Sequence, residues 1–170
     1  MIEHKGMRPQ DVAVLLKIVT LGTEPWLSRD LASALRLSPA EVSNSLKRSA
    51  LAGLLDASRR RVAKRNLLDF LEHGLPYVFP THPGGSVRGV PTAHSAAPLA
   101  ARFHSDEPYV WPSAKGSAKG QAIQPLYPGA VDASLDDAAL YQLLALADAL
   151  RVGRTRERDE AIKELAKRLK

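Results

Sequence analysis

The sequence predicts a mostly helical α+β protein, and three observations support that class. Apolar residues recur at the three- and four-residue spacing of amphipathic helices up to residue 73 and again after residue 134. Between them, residues 75–133 are rich in proline, glycine and serine but keep short aromatic segments typical of strands. With 170 residues, 45% hydrophobic and 25% charged, the chain has the composition of a globular protein of one or two domains.

Two helices are predicted at the N-terminal end. The first begins after Arg8, with Pro9 in its first turn, and ends at Gly22, which is the usual placement of proline and glycine around a helix. A short connector leads to Ser28, which we predict to be the N-cap of a second helix that ends at Leu35.

The third helix has a distinct start signal. Ser38 and Glu41 have the spacing of a capping box, and Pro39 occupies the first helical position, where its missing N–H costs nothing. We expect this helix to run to about Leu54. Because it begins three residues after the second helix ends, the two are predicted to form a helix-turn-helix.

One face of the third helix has the composition of a DNA-reading surface. Val42, Leu46 and Ser49 share the inward face of a helical wheel, and the outward face is polar and basic. In the major groove Asn can pair with adenine, Lys can reach guanine, and Ser can take either role. We therefore predict that three residues contact base edges: Ser43, Asn44 and Lys47.

The chain is basic, and its excess charge lies at the two ends. Its formal net charge is +6, with 12 Lys/Arg against 8 Asp/Glu in residues 1–74 and 8 against 4 in residues 151–170. After the third helix, a basic loop from Asp56 to Arg65 is placed to act as a wing, and a helix from Asn66 to His73 follows. Cations that bind DNA phosphates release counterions. The predicted phosphate contacts are Ser28, Arg29, Arg48, Arg59, Arg60, Arg61, Lys64 and Arg65.

Residues 9–73 resemble the winged helix-turn-helix of MarR-type bacterial regulators. The resemblance is carried by the stretches 27–32, 37–48 and 54–55. It implies a homodimer that binds double-stranded DNA with the third helix in the major groove, and a sequence-specific transcriptional regulator acting as a repressor. The predicted wing is shorter than is usual in that family. We expect residues 1–74 to be the DNA-binding domain and residues 75–170 to serve dimerisation or partner binding.

The middle of the chain contains an imperfect repeat. The segment 77–80 (YVFP) returns as 109–112 (YVWP), and 86–89 (SVRG) returns as 117–120 (SAKG). The repeat predicts two related β-hairpins. Arg88 and Lys119 each precede a glycine, so the two places are either related anion sites or simply hairpin turns.

Two helices are predicted to close the chain, from Leu135 to Leu150 and from Arg154 to Lys170. Arg151, Arg154 and Arg158 lie at helical steps. They are interpreted either as salt-bridging residues, with Asp148 as the partner of Arg151, or as a docking surface for an acidic partner protein or for DNA. The alternative function is therefore an antitoxin-like protein whose C-terminal half binds a neighbouring toxin or enzyme.

Several classes of function are not predicted. The sequence has no cysteine, no Walker motif, no Gly-x-Ser-x-Gly elbow and no histidine pair at metal-binding spacing. We therefore predict no enzyme, no metal and no cofactor. The N-terminal residues lack the apolar segment of a signal peptide, and no stretch is long and apolar enough to span a bilayer. The expected location is the cytoplasm, without membrane contact.

Overall fold

A computed structural model describes residues 6–170 of the protein. The first five residues, on which part of the signal-peptide argument rests, lie outside the described part. The elements are α1 (Pro9–Leu21), α2 (Ser28–Leu35), α3 (Pro39–Leu51), α4 (Lys64–His73), α5 (Leu75–Val78), β1 (Ser86–Pro91), β2 (Tyr109–Pro112), β3 (Ala118–Ala122), α6 (Ala130–Leu135), α7 (Ala138–Val152) and α8 (Thr155–Arg168). Two 3₁₀ turns, Ala93–Ser95 and Leu99–Ala101, connect β1 to β2. The mostly helical α+β class is confirmed.

Helices α1, α2 and α3 pack against one another, and α2 is joined to α3 by a tight turn. Arg36 allows that turn by adopting the left-handed conformation, with φ of 57°. The predicted capping box is present: the Ser38 amide donates to Glu41 Oε2 at 2.7 Å, and the Glu41 amide donates to Ser38 Oγ at 3.1 Å. One detail is corrected, because Ser28 is the first residue of α2 and the N-cap is Leu27, without a side-chain cap.

A short hairpin-like turn connects α3 to α4. Leu55 and Val62 form an isolated antiparallel bridge, and the Ala63 amide donates to the Leu54 carbonyl at 2.9 Å. Both ends of this connection differ from the prediction: α3 ends at Leu51 and not at about Leu54, because residues 52–55 turn back to pair with residues 62–63. Lys64 and Arg65 belong to the first turn of α4 rather than to the loop.

The prediction of two related β-hairpins is wrong. Residues 75–78 form the short helix α5, with Pro76 in the first turn that accepts proline, and Leu75 is buried where α5 packs on α7. Only the second copy of the aromatic motif, on β2, is a strand. Burial of Leu75 against a helix therefore outweighs the strand propensity of the aromatic residues that follow it.

The three strands instead form one small closed sheet. Strand β1 is antiparallel to both β2 and β3, and β2 is parallel to β3. The two repeated segments pair with each other, since Val87 faces Gly120 and Gly89 faces Ala118. A Cβ on Gly89 would lie 2.0 Å from the Trp111 carbonyl oxygen, so glycine is required for this close strand approach.

Three helices follow the sheet, where two were predicted. Leu135 ends α6 and is exposed, so it does not begin the long apolar helix. Asp137 starts α7 by accepting the Leu140 amide at 3.0 Å, which separates the two helices. Among residues 6–170, no helix combines the length and apolar character needed to cross a bilayer.

Helix α7 is the centre of the molecule. All of its residues from Leu143 to Leu150 are buried, so it is enclosed on every side. It packs against α1, α5, α6 and α8, and Lys17 of α1 binds Asp137 at its N-terminal end at 2.7 Å. One hydrophobic cluster therefore runs through both of the predicted domains.

Candidate nucleic-acid interface

The inward face of α3 is held by packing and by one buried ion pair. Val42 and Ser49 are fully buried and Leu46 is 7% exposed, as the helical wheel predicts. Arg48 donates from Nε and Nη2 to the two carboxylate oxygens of Asp11 on α1, at 2.8 Å each. This bidentate contact fixes the rotation of α3 against α1.

The outward face of α3 presents the three predicted base-reading residues to solvent. Ser43, Asn44 and Lys47 are all exposed, and no side chain in the described part of the chain pairs with them. Glu41 is the acidic residue of this helix, and its carboxylate is bound in the cap. Hydrogen bonds from the Ser38 backbone and side chain lower the pKa of Glu41, so the cap keeps its charge.

Arg48 does not belong to this exposed set. We predicted that it contacts a phosphate, but its side chain is only 14% exposed and its guanidinium is engaged by Asp11. Its position at the edge of the inward face brings it within reach of a buried carboxylate on α1. The helical wheel contains no information about that partner, because it describes α3 alone.

The turn between α3 and α4 is organised by one carboxylate. Asp56 Oδ1 accepts from the Ser58 hydroxyl and from the Arg60 and Arg61 amides, at 2.8 to 3.2 Å. Arg59 has a positive φ of 60° in the tip of the turn. The turn thus displays three consecutive exposed arginines on a short, hydrogen-bonded support.

The predicted phosphate contacts differ in how free they are. Arg65 is exposed, Arg29 is exposed and lies 4.0 Å from the Asp30 carboxylate, and Ser28 is half-buried at the start of α2. Arg60 lies over the ring of Trp26, 4.7 Å from its centroid, and donates to the Trp26 carbonyl at 2.9 Å. Lys64 donates to the backbone carbonyl of Lys170 at 2.7 Å, which ties α4 to the end of the chain.

The arginines around Gly153 do not form one surface. Arg151 is buried: it binds Asp148 at 2.8 Å and donates to the Phe79 and Gln124 carbonyls, as the salt-bridging interpretation predicts. Arg154 is exposed at the N-cap of α8, and Arg158 is half-buried within that helix. The break between α7 and α8 removes the continuous helix that a joint docking surface requires.

Two residues near the turns were not identified from sequence. Arg36, between α2 and α3, forms an ion pair with Asp136 after α6, and Trp26 packs against Arg60 of the turn between α3 and α4. Both partners lie more than 30 residues away in sequence. A lone arginine or tryptophan in a polar connector gives no signal of such a partner.

The described residues contain no group of three or more His, Asp or Glu side chains able to hold a metal ion. The candidate surface consists of the exposed polar face of α3 and the arginine-bearing turn that follows it. No family model, curated protein or solved structure shows a significant match to the chain.

Proposed function

We propose that this protein binds double-stranded DNA sequence-specifically through α3 and acts as a transcriptional regulator, with repression as its mode of action. The observation that carries the proposal is the exposed face of Ser43, Asn44 and Lys47, on a helix whose one acidic residue, Glu41, is bound in the cap. Side chains of these types are the ones that recognise base edges in the major groove.

The turn that follows α3 supports the same proposal. Arg59 and Arg61 are exposed on a turn that Asp56 keeps in one conformation. Preorganised cations lose less side-chain entropy when they contact phosphates than cations on a flexible loop. Together with Arg29 and Arg65, they would position the duplex while α3 reads its sequence.

Binding to the DNA upstream of the protein's own gene tests the proposal by fluorescence anisotropy. Asn44→Ala and Lys47→Ala are each expected to lower affinity for the specific site by about 1–3 kcal/mol, roughly 5- to 150-fold. Lys163→Ala on α8, an exposed lysine paired with Glu160, is the matched control and is expected to bind like wild type. If both α3 variants bind as tightly as wild type, α3 is not the reading helix.

A homodimer is part of the proposal, because two-fold pairing of one reading helix doubles the contacts to a palindromic site.

The alternative, an antitoxin-like partner protein, is favoured by one observation: Tyr77 and Val78 on α5 are 77% and 50% exposed. Exposed aromatic residues are enriched in protein interfaces. Sedimentation of wild type and Tyr77→Ser, alone and co-expressed with the product of the adjacent gene, distinguishes a dimer from a hetero-complex.

A further inference from the structure

The register of the sheet brings the basic residues of the repeated segments together. Arg88 on β1 lies directly opposite Lys119 on β3, and Ser86 lies opposite Gln121. Residues that face each other in an antiparallel pair project from the same side of the sheet. We call this group of four the sheet patch; its two cations and Ser86 are exposed, and Gln121 is half-buried.

The two cations of the sheet patch have no acidic partner in the described part of the chain, whereas Lys115 in the adjacent loop binds Asp132 at 2.9 Å. Like charges directly opposite each other in a sheet are destabilising. Arg88 and Lys119 therefore weaken the sheet, and no ion pair in the described part of the chain offsets their repulsion. Such a local cost is a common feature of surfaces kept for binding.

The glycines next to these cations have a structural explanation. A Cβ on Gly120 would lie 2.1 Å from the Pro108 carbonyl oxygen, and Gly89 is equally crowded by Trp111. Both glycines are buried. The binding capacity of the sheet patch therefore rests on its side chains, and not on exposed glycine amides.

Helix α6 connects the sheet patch to the helix-turn-helix. Arg36, two residues before Ser38, pairs with Asp136, and Lys115 between β2 and β3 pairs with Asp132. The two aspartates are four residues apart, which is about one helical turn. In addition, the Tyr127 hydroxyl donates to the Leu35 carbonyl of α2 at 2.8 Å. These two ion pairs and one hydrogen bond connect the region of the sheet to α2 and to the turn that precedes α3.

We propose that the sheet patch binds phosphates of double-stranded DNA, as a second contact in addition to α3; this inference rests on the proposed function. Arg, Lys, Ser and Gln are side chains that contact phosphate oxygens. The patch contains no aromatic or large apolar side chain, and such anchors contribute most of the energy of protein–protein interfaces. Its chemistry therefore favours a nucleic-acid backbone over an acidic protein.

The test is the salt dependence of binding to a mixed-sequence duplex of about two helical turns. Each neutralised phosphate contributes about −0.9 to the slope of log K against log[salt]. Arg88→Gln/Lys119→Gln is expected to reduce the magnitude of that slope by about 2 and to leave the base preference unchanged. Lys163→Gln/Lys167→Gln on α8 removes the same charge from two exposed lysines and is expected to leave the slope unchanged.

The outcomes distinguish a failure of the sheet patch from a failure of the proposed function. A double sheet variant with the wild-type slope overturns the sheet patch and leaves DNA binding by α3 standing. A wild-type protein that binds no duplex at all overturns both. Thermal unfolding adds a control: because the variant loses a like-charge contact, its Tm is expected to equal or exceed that of wild type. Arg88→Ala/Lys119→Ala is measured in the same two ways. If both double variants have a lower Tm as well as a reduced slope, the two residues have a structural role and the proposal is overturned.

Discussion

At the scale of single residues, Arg48 and Asp11 set the orientation of α3. Asp11 is fully buried, and its hydrogen bonds raise the pKa of Arg48. Arg48→Ala would remove both guanidinium donors from that carboxylate, which also accepts the Arg8 amide at 2.8 Å. We expect a loss of about 3–5 kcal/mol in the free energy of unfolding, measured by urea denaturation. Lys47→Ala, one position along the helix, is expected to change stability by less than about 0.5 kcal/mol.

A second buried aspartate connects the sheet to the central helix. Asp148 Oδ2 accepts from Thr92 Oγ1 at 2.7 Å and from Trp111 Nε1 at 2.6 Å, and Oδ1 accepts from Arg151. Complete burial raises the pKa of Asp148, against the opposing effects of these donors.

Asp148→Ala is expected to lower the free energy of unfolding by about 3–5 kcal/mol, because it leaves the Trp111 indole buried without its acceptor and the Arg151 guanidinium without its carboxylate partner. The same variant should shift the indole N–H resonance of Trp111 in a proton NMR spectrum. Asp159→Ala, at an exposed position on α8, is the control. A variant as stable as wild type would show that the network contributes little.

At the scale of elements, the cap determines where α3 begins. Removing the Ser38 hydroxyl leaves the Glu41 amide without its acceptor. Ser38→Ala is expected to cost about 1 kcal/mol of stability and to weaken specific DNA binding. Ser43→Ala, an exposed serine within the same helix, is expected to keep stability unchanged or to raise it slightly. Equal stability of the two variants would contradict the role of the cap.

Some helices and strands could be predicted from local sequence patterns alone. The capping box of α3, the glycine end of α1 and the strand at Tyr109 depend on neighbours in sequence, and each was predicted correctly. Residues 77–80 nearly repeat residues 109–112 but start in the helix α5. Their conformation depends on the burial of Leu75 against α7, which no local pattern contains.

At the scale of the whole molecule, we expect the stability to depend on pH because His94 is buried. His94 stacks edge-on against Tyr109, and its Nδ1 lies 3.9 Å from Glu157 Oε2. Burial lowers the pKa of His94 below its ordinary value of 6.5, with Glu157 opposing and Arg154 assisting the shift. The pKa of His94 is therefore lower in the folded than in the unfolded state, and its neutral form stabilises the fold. This contribution to the free energy of unfolding is present above about pH 6.5 and is lost as pH falls through the folded pKa.

His94→Gln is therefore expected to flatten the decrease in unfolding free energy between about pH 7 and pH 5, measured by urea denaturation at several pH values. His104→Gln, at an exposed position, should retain the wild-type slope. An unchanged slope in His94→Gln would show that other groups account for the acid sensitivity.

The continuous core also bears on the two predicted domains, 1–74 and 75–170. Helix α1 packs on α7, α4 packs on α8, and the apolar residues form one cluster across the boundary. The division remains a prediction about function. Physically, removal of the C-terminal half would expose apolar surface of α1 to water.

The sequence by itself determined the two helices α2 and α3, the cap of α3 and its exposed polar face, because these features depend on spacings of three or four residues along one chain segment. Only the tertiary structure decided that Arg48 is engaged by the buried Asp11 and that Arg88 faces Lys119. Those contacts join residues separated by strands, turns or whole helices, and burial of a charge is favourable only where the fold supplies its partner.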